Sequence, residues 1–212
     1  MELSKRDIQK KNAVGTEVIP SPGLFALWRR IVAIGGEPAT GKTTVVRKVI
    51  DEFSRDSTFH RFEYGLLRGH CVPNKRVVIL GIYASSETFA GTDRLSLQVT
   101  KDAISFLSRS KELGLKDYAI VFEGDRLFGT PFLSQCRMVA PTDILIVKAS
   151  SQTLKRRHIE RADDQTAEWC RSRAVKLDNI QKVFKEAELL ENESREDMAK
   201  IVKTILARLY VD

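Results

Sequence analysis

Three kinds of residue in this 212-residue chain have the type and spacing for chemistry on phosphate: a lysine in a glycine-bounded loop, a set of carboxylates, and a run of arginines. Gly36-Glu37-Pro38-Ala39-Thr40-Gly41-Lys42-Thr43 fits the pattern G-x-x-x-x-G-K-[ST] and follows the apolar run Ile31-Val32-Ala33-Ile34. The glycines let the backbone curl, so that successive N–H groups and the start of the next helix form an anion nest. In that nest Lys42 reaches the β/γ-phosphates of a nucleotide, Thr43 offers its hydroxyl to Mg²⁺, and Thr44 continues into a helix. ATP and Mg²⁺ are the implied cofactors.

The carboxylates come next. Glu123-Gly124-Asp125-Arg126 follows the apolar run Tyr118–Phe122 directly, where a phosphate-loop protein needs acidic groups to hold Mg²⁺ or to orient a nucleophile. Arg126 is either their ion-pair partner or a ligand for substrate. Asp93, in Gly91-Thr92-Asp93-Arg94, is a candidate general base for an attacking hydroxyl, with Arg94 binding a nearby anion; as a helix cap it would need no such role. The segment from Lys155 to Lys176 is dense in arginine, including Arg157, Arg161, Arg171 and Arg173. Phosphoryl transfer needs cations that arrive over the γ-phosphate, and an arginine-bearing lid, about residues 151–178, supplies them.

These groups require a frame. Apolar runs at 31–34, 77–83, 118–122 and 143–147 read as buried strands, and a strand is also expected over 59–67, with a turn at Cys71–Lys75. Helices are expected from about Lys42 to Phe53, from Leu95 to near Gly114, and from Phe132 to Val139, and everything beyond Ser151 reads as helical apart from a break near Asp163-Asp164. The last helix opens with the capping box Ser194-x-x-Asp197. Strands alternating with helices predict an α/β fold, a doubly wound, mostly parallel sheet with helices on both faces. In such a sheet ligands bind beyond the carboxyl ends of the strands, where the loop, Asp93 and Glu123 with Asp125 all fall.

Composition bounds the rest. With 42% hydrophobic and 30% charged residues the chain suits one globular domain, residues 30–212, preceded by an extension at 1–29 that carries a basic patch and whose Leu24–Trp28 docks on the core. No apolar run reaches the length of a membrane span and the N-terminus lacks a signal-peptide pattern, so the cytoplasm is expected. Cys71, Cys136 and Cys170 lack metal-ligand spacing. The net charge of +7 favours an anionic partner, a role that ATP or DNA would fill.

Together the phosphate loop, Gly-Thr-Asp-Arg-Leu-Ser at 91–96, Phe-Glu-Gly-Asp-Arg-Leu-Phe at 122–128, and Arg-x-Asp-x-Gln-x-x-x-Trp with Ser-Arg-x-x-Lys-x-x-Asn at 161–179 resemble the phage P-loop kinases that phosphorylate 5-hydroxymethyluracil in DNA. The resemblance covers about residues 30–190. It implies ATP-dependent transfer to the hydroxymethyl group of the base, a step in DNA hypermodification inside the host cytoplasm. The alternatives are a nucleoside or nucleotide kinase acting on free monomers and, from another class, a P-loop ATPase or regulatory switch.

Overall fold

The structure, a computed structural model, describes residues 27–83, 90–161 and 166–210, without the side chains of Arg161 and Ala167. Seven strands form one sheet: β1 Arg30–Gly36, β2 His60–Tyr64, β3 Leu67–Val72, β4 Val77–Leu80, β5 Ala119–Glu123, β6 Thr142–Lys148 and β7 Glu188–Glu191, in the order β2-β3-β4-β5-β1-β6-β7. The run from β4 to β7 is parallel, and only β3 opposes its neighbours. Six helices accompany it: α1 Lys42–Ser54, α2 Thr100–Ser108, α3 Thr130–Val139, α4 Ser151–Arg161, α5 Ala167–Val183 and α6 Arg195–Tyr210.

The period-two alternation of the strands explains the layering. Val32 and Ile34 of β1 point to one face, where they meet Val45, Val46 and Val49 of α1 and Ile201 and Ile205 of α6. Ile31 and Ala33 point to the other, where α2, α3 and α5 supply Phe106, Phe132 and Ile180. Both faces are therefore covered, which is why the central strands read as unbroken apolar runs. Trp28 closes the second core: it is buried, and its indole Nε1–H donates to the Leu107 carbonyl at 2.8 Å. Such an indole contributes on the order of 3–5 kcal/mol. Docking of the Leu24–Trp28 stretch is thus realised at its C-terminal end, while residues 1–26 and their basic patch lie outside the described residues.

The doubly wound, mostly parallel sheet is the predicted architecture, with three local differences. The stretch read as one strand over 59–67 is the start of a hairpin. Gly65, at φ +57°, makes a two-residue turn between Tyr64 and Leu67, and β3 runs on to Val72, so the expected turn is confined to the 3₁₀ turn Pro73–Lys75 before β4. The expected helix from Leu95 is shorter, because residues 92–94 form a 3₁₀ turn and α2 starts only at Thr100. The region after Ser151 is not wholly helical, since Glu188–Glu191 joins the sheet edge as β7. Finally, the break expected near Asp163-Asp164 falls outside the described residues, between the end of α4 and the start of α5. The capping box forms as expected: Asp197 N–H donates to Ser194 Oγ at 3.1 Å and Ser194 N–H donates to Asp197 Oδ2 at 3.1 Å. Among the described residues no helix is long and apolar enough to cross a membrane.

Candidate active site

The parallel strands all end on one edge of the sheet, and each hands over a different part of the site. From β1 comes the phosphate loop. Its last strand residue pairs with β6 in the register Gly36↔Val147, and Ile34 pairs with Glu123 on the other side. The loop turns through Ala39 at φ +60° and Gly41 at φ +93° before α1 begins. No side chain caps the N-terminus of α1. α2 and α3 share this, but α1 starts within the loop that lines the cleft, so its first turn is placed to receive an anion, whereas Thr166 and the Ser194 box cap α5 and α6.

The Lys42 ammonium donates to the carbonyls of Gly36 at 2.8 Å and Glu37 at 2.7 Å, curling over the loop that it would share with phosphate. Thr40 is buried, and its hydroxyl donates to the Glu37 carbonyl at 2.8 Å. Glu37 and Thr40 thus shape the loop from within. Gly36, Pro38, Ala39 and Gly41 line the cleft above it together with Lys42, Thr43 and Thr44. The cleft has a volume of about 1020 Å³.

From β5 comes Glu123. It is buried, and the Thr43 hydroxyl donates to its Oε1 at 3.0 Å. Burial pushes the Glu123 carboxyl up to about 7 and Asp93 adds to the push, while Lys42 and the Thr43 hydrogen bond oppose it. Gly91 allows the close packing here, since a Cβ at that position would run into the Glu123 carboxylate.

From β4 comes Asp93, through an antiparallel bridge between Ile82 and Gly91. Asp93 does not cap α2. It sits in the 3₁₀ turn, where its Oδ1 accepts the Arg126 backbone N–H at 3.0 Å. The neighbouring Thr92 hydroxyl donates to the Glu123 carbonyl at 2.9 Å, tying the turn to β5. Burial raises the Asp93 pKa and Asp125 pushes the same way; the Arg126 N–H and the charge of Lys42 act against it. A carboxylate, an ammonium and an anion nest therefore face one space.

The arginines divide. Arg157 on α4 donates to the carbonyls of Ala39 and Thr40, both at 3.3 Å, and to that of Asn192 at 2.8 Å, so it clamps the loop. Arg173 on α5 forms an ion pair with Asp125, joined by Lys176, whose Nζ lies 2.7 Å from Asp125 Oδ1. Asp125, expected as a metal-orienting group, is here held by two cations of α5. Arg126 lines the cleft beside Arg173, and its backbone N–H holds Asp93. Arg171 and Arg94 are exposed and do not line the cleft. The reason for Arg171 is helical geometry: residues 169, 173 and 176 share one face of α5, and a residue two positions from Arg173 points away from it. Arg161 ends α4, with its side chain outside the described residues.

Asn192, just past β7, escaped the sequence reading. It is buried, its Nδ2 donates to the Thr40 carbonyl at 2.7 Å, and a Cβ on Gly41 would approach that nitrogen to 2.6 Å. No motif announces it. Its only sequence signal is its place at the carboxyl end of a strand that is itself hard to see.

The donor set suits a hard cation that arrives with a nucleotide. Thr43 and Glu123 present adjacent oxygens, and Mg²⁺ takes one or two protein oxygens with phosphates completing its shell. Among the described residues no group of three or more His, Cys, Asp or Glu could hold a metal without such help.

No protein-family model and no curated protein matches the sequence. Among solved structures, the chain is similar to a sugar kinase from Janibacter sp., at 15% identity and a TM-score of 0.45, over 85% of this chain and 94% of that one. It is also similar to an uncharacterized protein from Eubacterium ventriosum, at 13% identity and a TM-score of 0.42, over 87% of this chain and the whole of that one. Likeness at this level says nothing of chemistry.

Proposed function

We propose that this protein is an ATP-dependent kinase with an alcohol as acceptor, and that the acceptor is the hydroxymethyl group of 5-hydroxymethyluracil in phage DNA. The observation that carries the kinase reading is the placement of the Asp93 carboxylate, held by the Arg126 N–H and within the field of Lys42, across from an α1 N-terminus left uncapped for phosphate. A regulatory switch has no use for a carboxylate in that position; a phosphotransferase needs one to take a proton.

In the reaction the acceptor oxygen forms a bond to the γ-phosphorus, the bond from that phosphorus to the β–γ bridging oxygen breaks, and ADP leaves with the electron pair. Asp93 takes the acceptor's proton. Lys42 and the loop N–H groups hold the β/γ-phosphates, and Arg173, once released from Asp125, brings positive charge to the transferring group. Mg²⁺ held through Thr43 and Glu123 would neutralise charge on the phosphates.

The DNA acceptor rests on the motif resemblance, with the net charge of +7 suiting a polyanion. Label from γ-labelled ATP, offered with hydroxymethylated DNA and separately with the matching free nucleoside and nucleotides, tests it. Label in DNA is expected. Transfer to free monomers alone would establish a nucleotide kinase, and release of labelled phosphate without transfer to any acceptor an ATPase.

A further inference from the structure

The two helices over the cleft offer it different chemistry. Arg157 of α4 is spent on the carbonyls of Ala39 and Thr40, so that helix serves the nucleotide loop. On α5, Trp169 and Arg173 line the cleft one turn apart. The Arg173 guanidinium lies over the indole, 4.8 Å from the ring centroid, and the same guanidinium pairs with Asp125. Asp125 precedes Arg126, whose N–H holds Asp93. The indole is therefore linked through Arg173 and Asp125 to the turn that carries the candidate base, which places it on the acceptor side. Leu97, four residues beyond Asp93, also lines the cleft and is 79% exposed.

We propose that Trp169 and Leu97 form a slot for the flat ring of a pyrimidine base, and that this slot is where the acceptor binds. The inference rests on the phosphotransfer reading of the cleft and deepens it. When Arg173 leaves Asp125 for the transferring group it also uncovers the indole face that it lies over, and a base can stack there.

An exposed isobutyl group and an indole beside a charged floor match a ligand with apolar faces and a polar edge.

Initial rates of label transfer to a single-stranded oligonucleotide with one 5-hydroxymethyluracil test this in the parent, Trp169→Phe, Trp169→Ala and Leu97→Ala. Stacking on an aromatic is strong enough that Trp169→Ala should raise the acceptor KM about 10- to 100-fold, with Trp169→Phe restoring most of it. The ATP KM should stay within about twofold in all of them, since uniform binding of the acceptor alone is removed. Fluorescence gives a second readout. Trp28 is buried and serves as a constant background, so added oligonucleotide, with ADP present, should quench the parent and leave Trp169→Phe unchanged. An acceptor KM in Trp169→Ala within about twofold of the parent overturns the slot, as does an equal rise in the ATP KM, which would put the indole on the donor side. If Trp169→Ala fails to fold, the fluorescence of Trp169→Phe and the KM of Leu97→Ala decide. A parent that transfers no label to any acceptor removes the phosphotransfer reading itself, a different failure from a working kinase indifferent to residue 169.

Discussion

Thr43 and Glu123 are joined by a 3.0 Å hydrogen bond between hydroxyl and carboxylate, and that contact links the start of α1 to the end of β5. It puts an ionisable group in the core directly beneath the phosphate loop. The protein accepts a carboxyl that prefers its proton near neutrality in return for an oxygen aimed at the nucleotide site.

That preference has a measurable sign. Glu123 is raised from 4.5 to about 7 on folding, so between those pH values the native state binds more protons than the unfolded one, and stability falls as pH rises through the window. The full effect is on the order of 3 kcal/mol. Glu123→Gln should lack this component: its stability relative to the parent should improve steadily from pH 5 to pH 8 in chemical denaturation without Mg²⁺. A constant difference across that range would show that Glu123 does not titrate there.

Asp93→Asn should lower turnover by about 10²–10⁴ while nucleotide affinity changes little, because asparagine keeps the oxygen that accepts the Arg126 N–H and loses only the ability to take a proton. Single-turnover label transfer and calorimetric nucleotide binding separate the two quantities. Unchanged turnover would reduce Asp93 to a structural turn residue.

The arginines should separate by their partners. Arg157→Ala removes three hydrogen bonds to loop and β7 carbonyls and should weaken nucleotide binding by about 10-fold or more, since hydrogen bonds to charged groups are worth about 1.5–3 kcal/mol each. Arg171→Ala, on the exposed face of α5, should leave turnover within about twofold of the parent. A clear loss of turnover in Arg171→Ala would return Arg171 to the site.

The turn from Gly36 to Thr43 was legible as a loop between strand and helix, because its glycines and its place after an apolar run answer backbone requirements that few other residues meet. Asp93 and Glu123 were legible as strand-end carboxylates. Their partners were not: the Arg126 N–H, the Gly91 gap and Asn192 are matters of three-dimensional approach that leave no periodic trace. β7 was missed for a related reason, as four residues, Glu188-Leu189-Leu190-Glu191, carry too little alternation to stand out from the helices around them. Treating the lid arginines as one set ignored helix phase, which separates Arg171 from Arg173.

Ala39 holds a left-handed conformation at φ +60°, where a Cβ is unfavourable by about 1 kcal/mol. Ala39→Gly should raise stability by about 0.5–1 kcal/mol, seen as a melting temperature about 2–3 °C higher by calorimetry. A lower melting temperature would mean that the methyl group contributes more by packing than it loses in backbone strain.

Ile82 and Gly91 exchange two backbone hydrogen bonds, at 3.0 and 2.8 Å, and Thr92 fastens the next residue to β5. Asp93 is thereby anchored independently of whatever chain lies between Ile82 and Gly91. Doubling the length of that intervening chain would add only about 0.6 kcal/mol of closure entropy. Insertions and sequence drift there would leave the Asp93 carboxylate in place, so that chain can change without disturbing the turn that carries it.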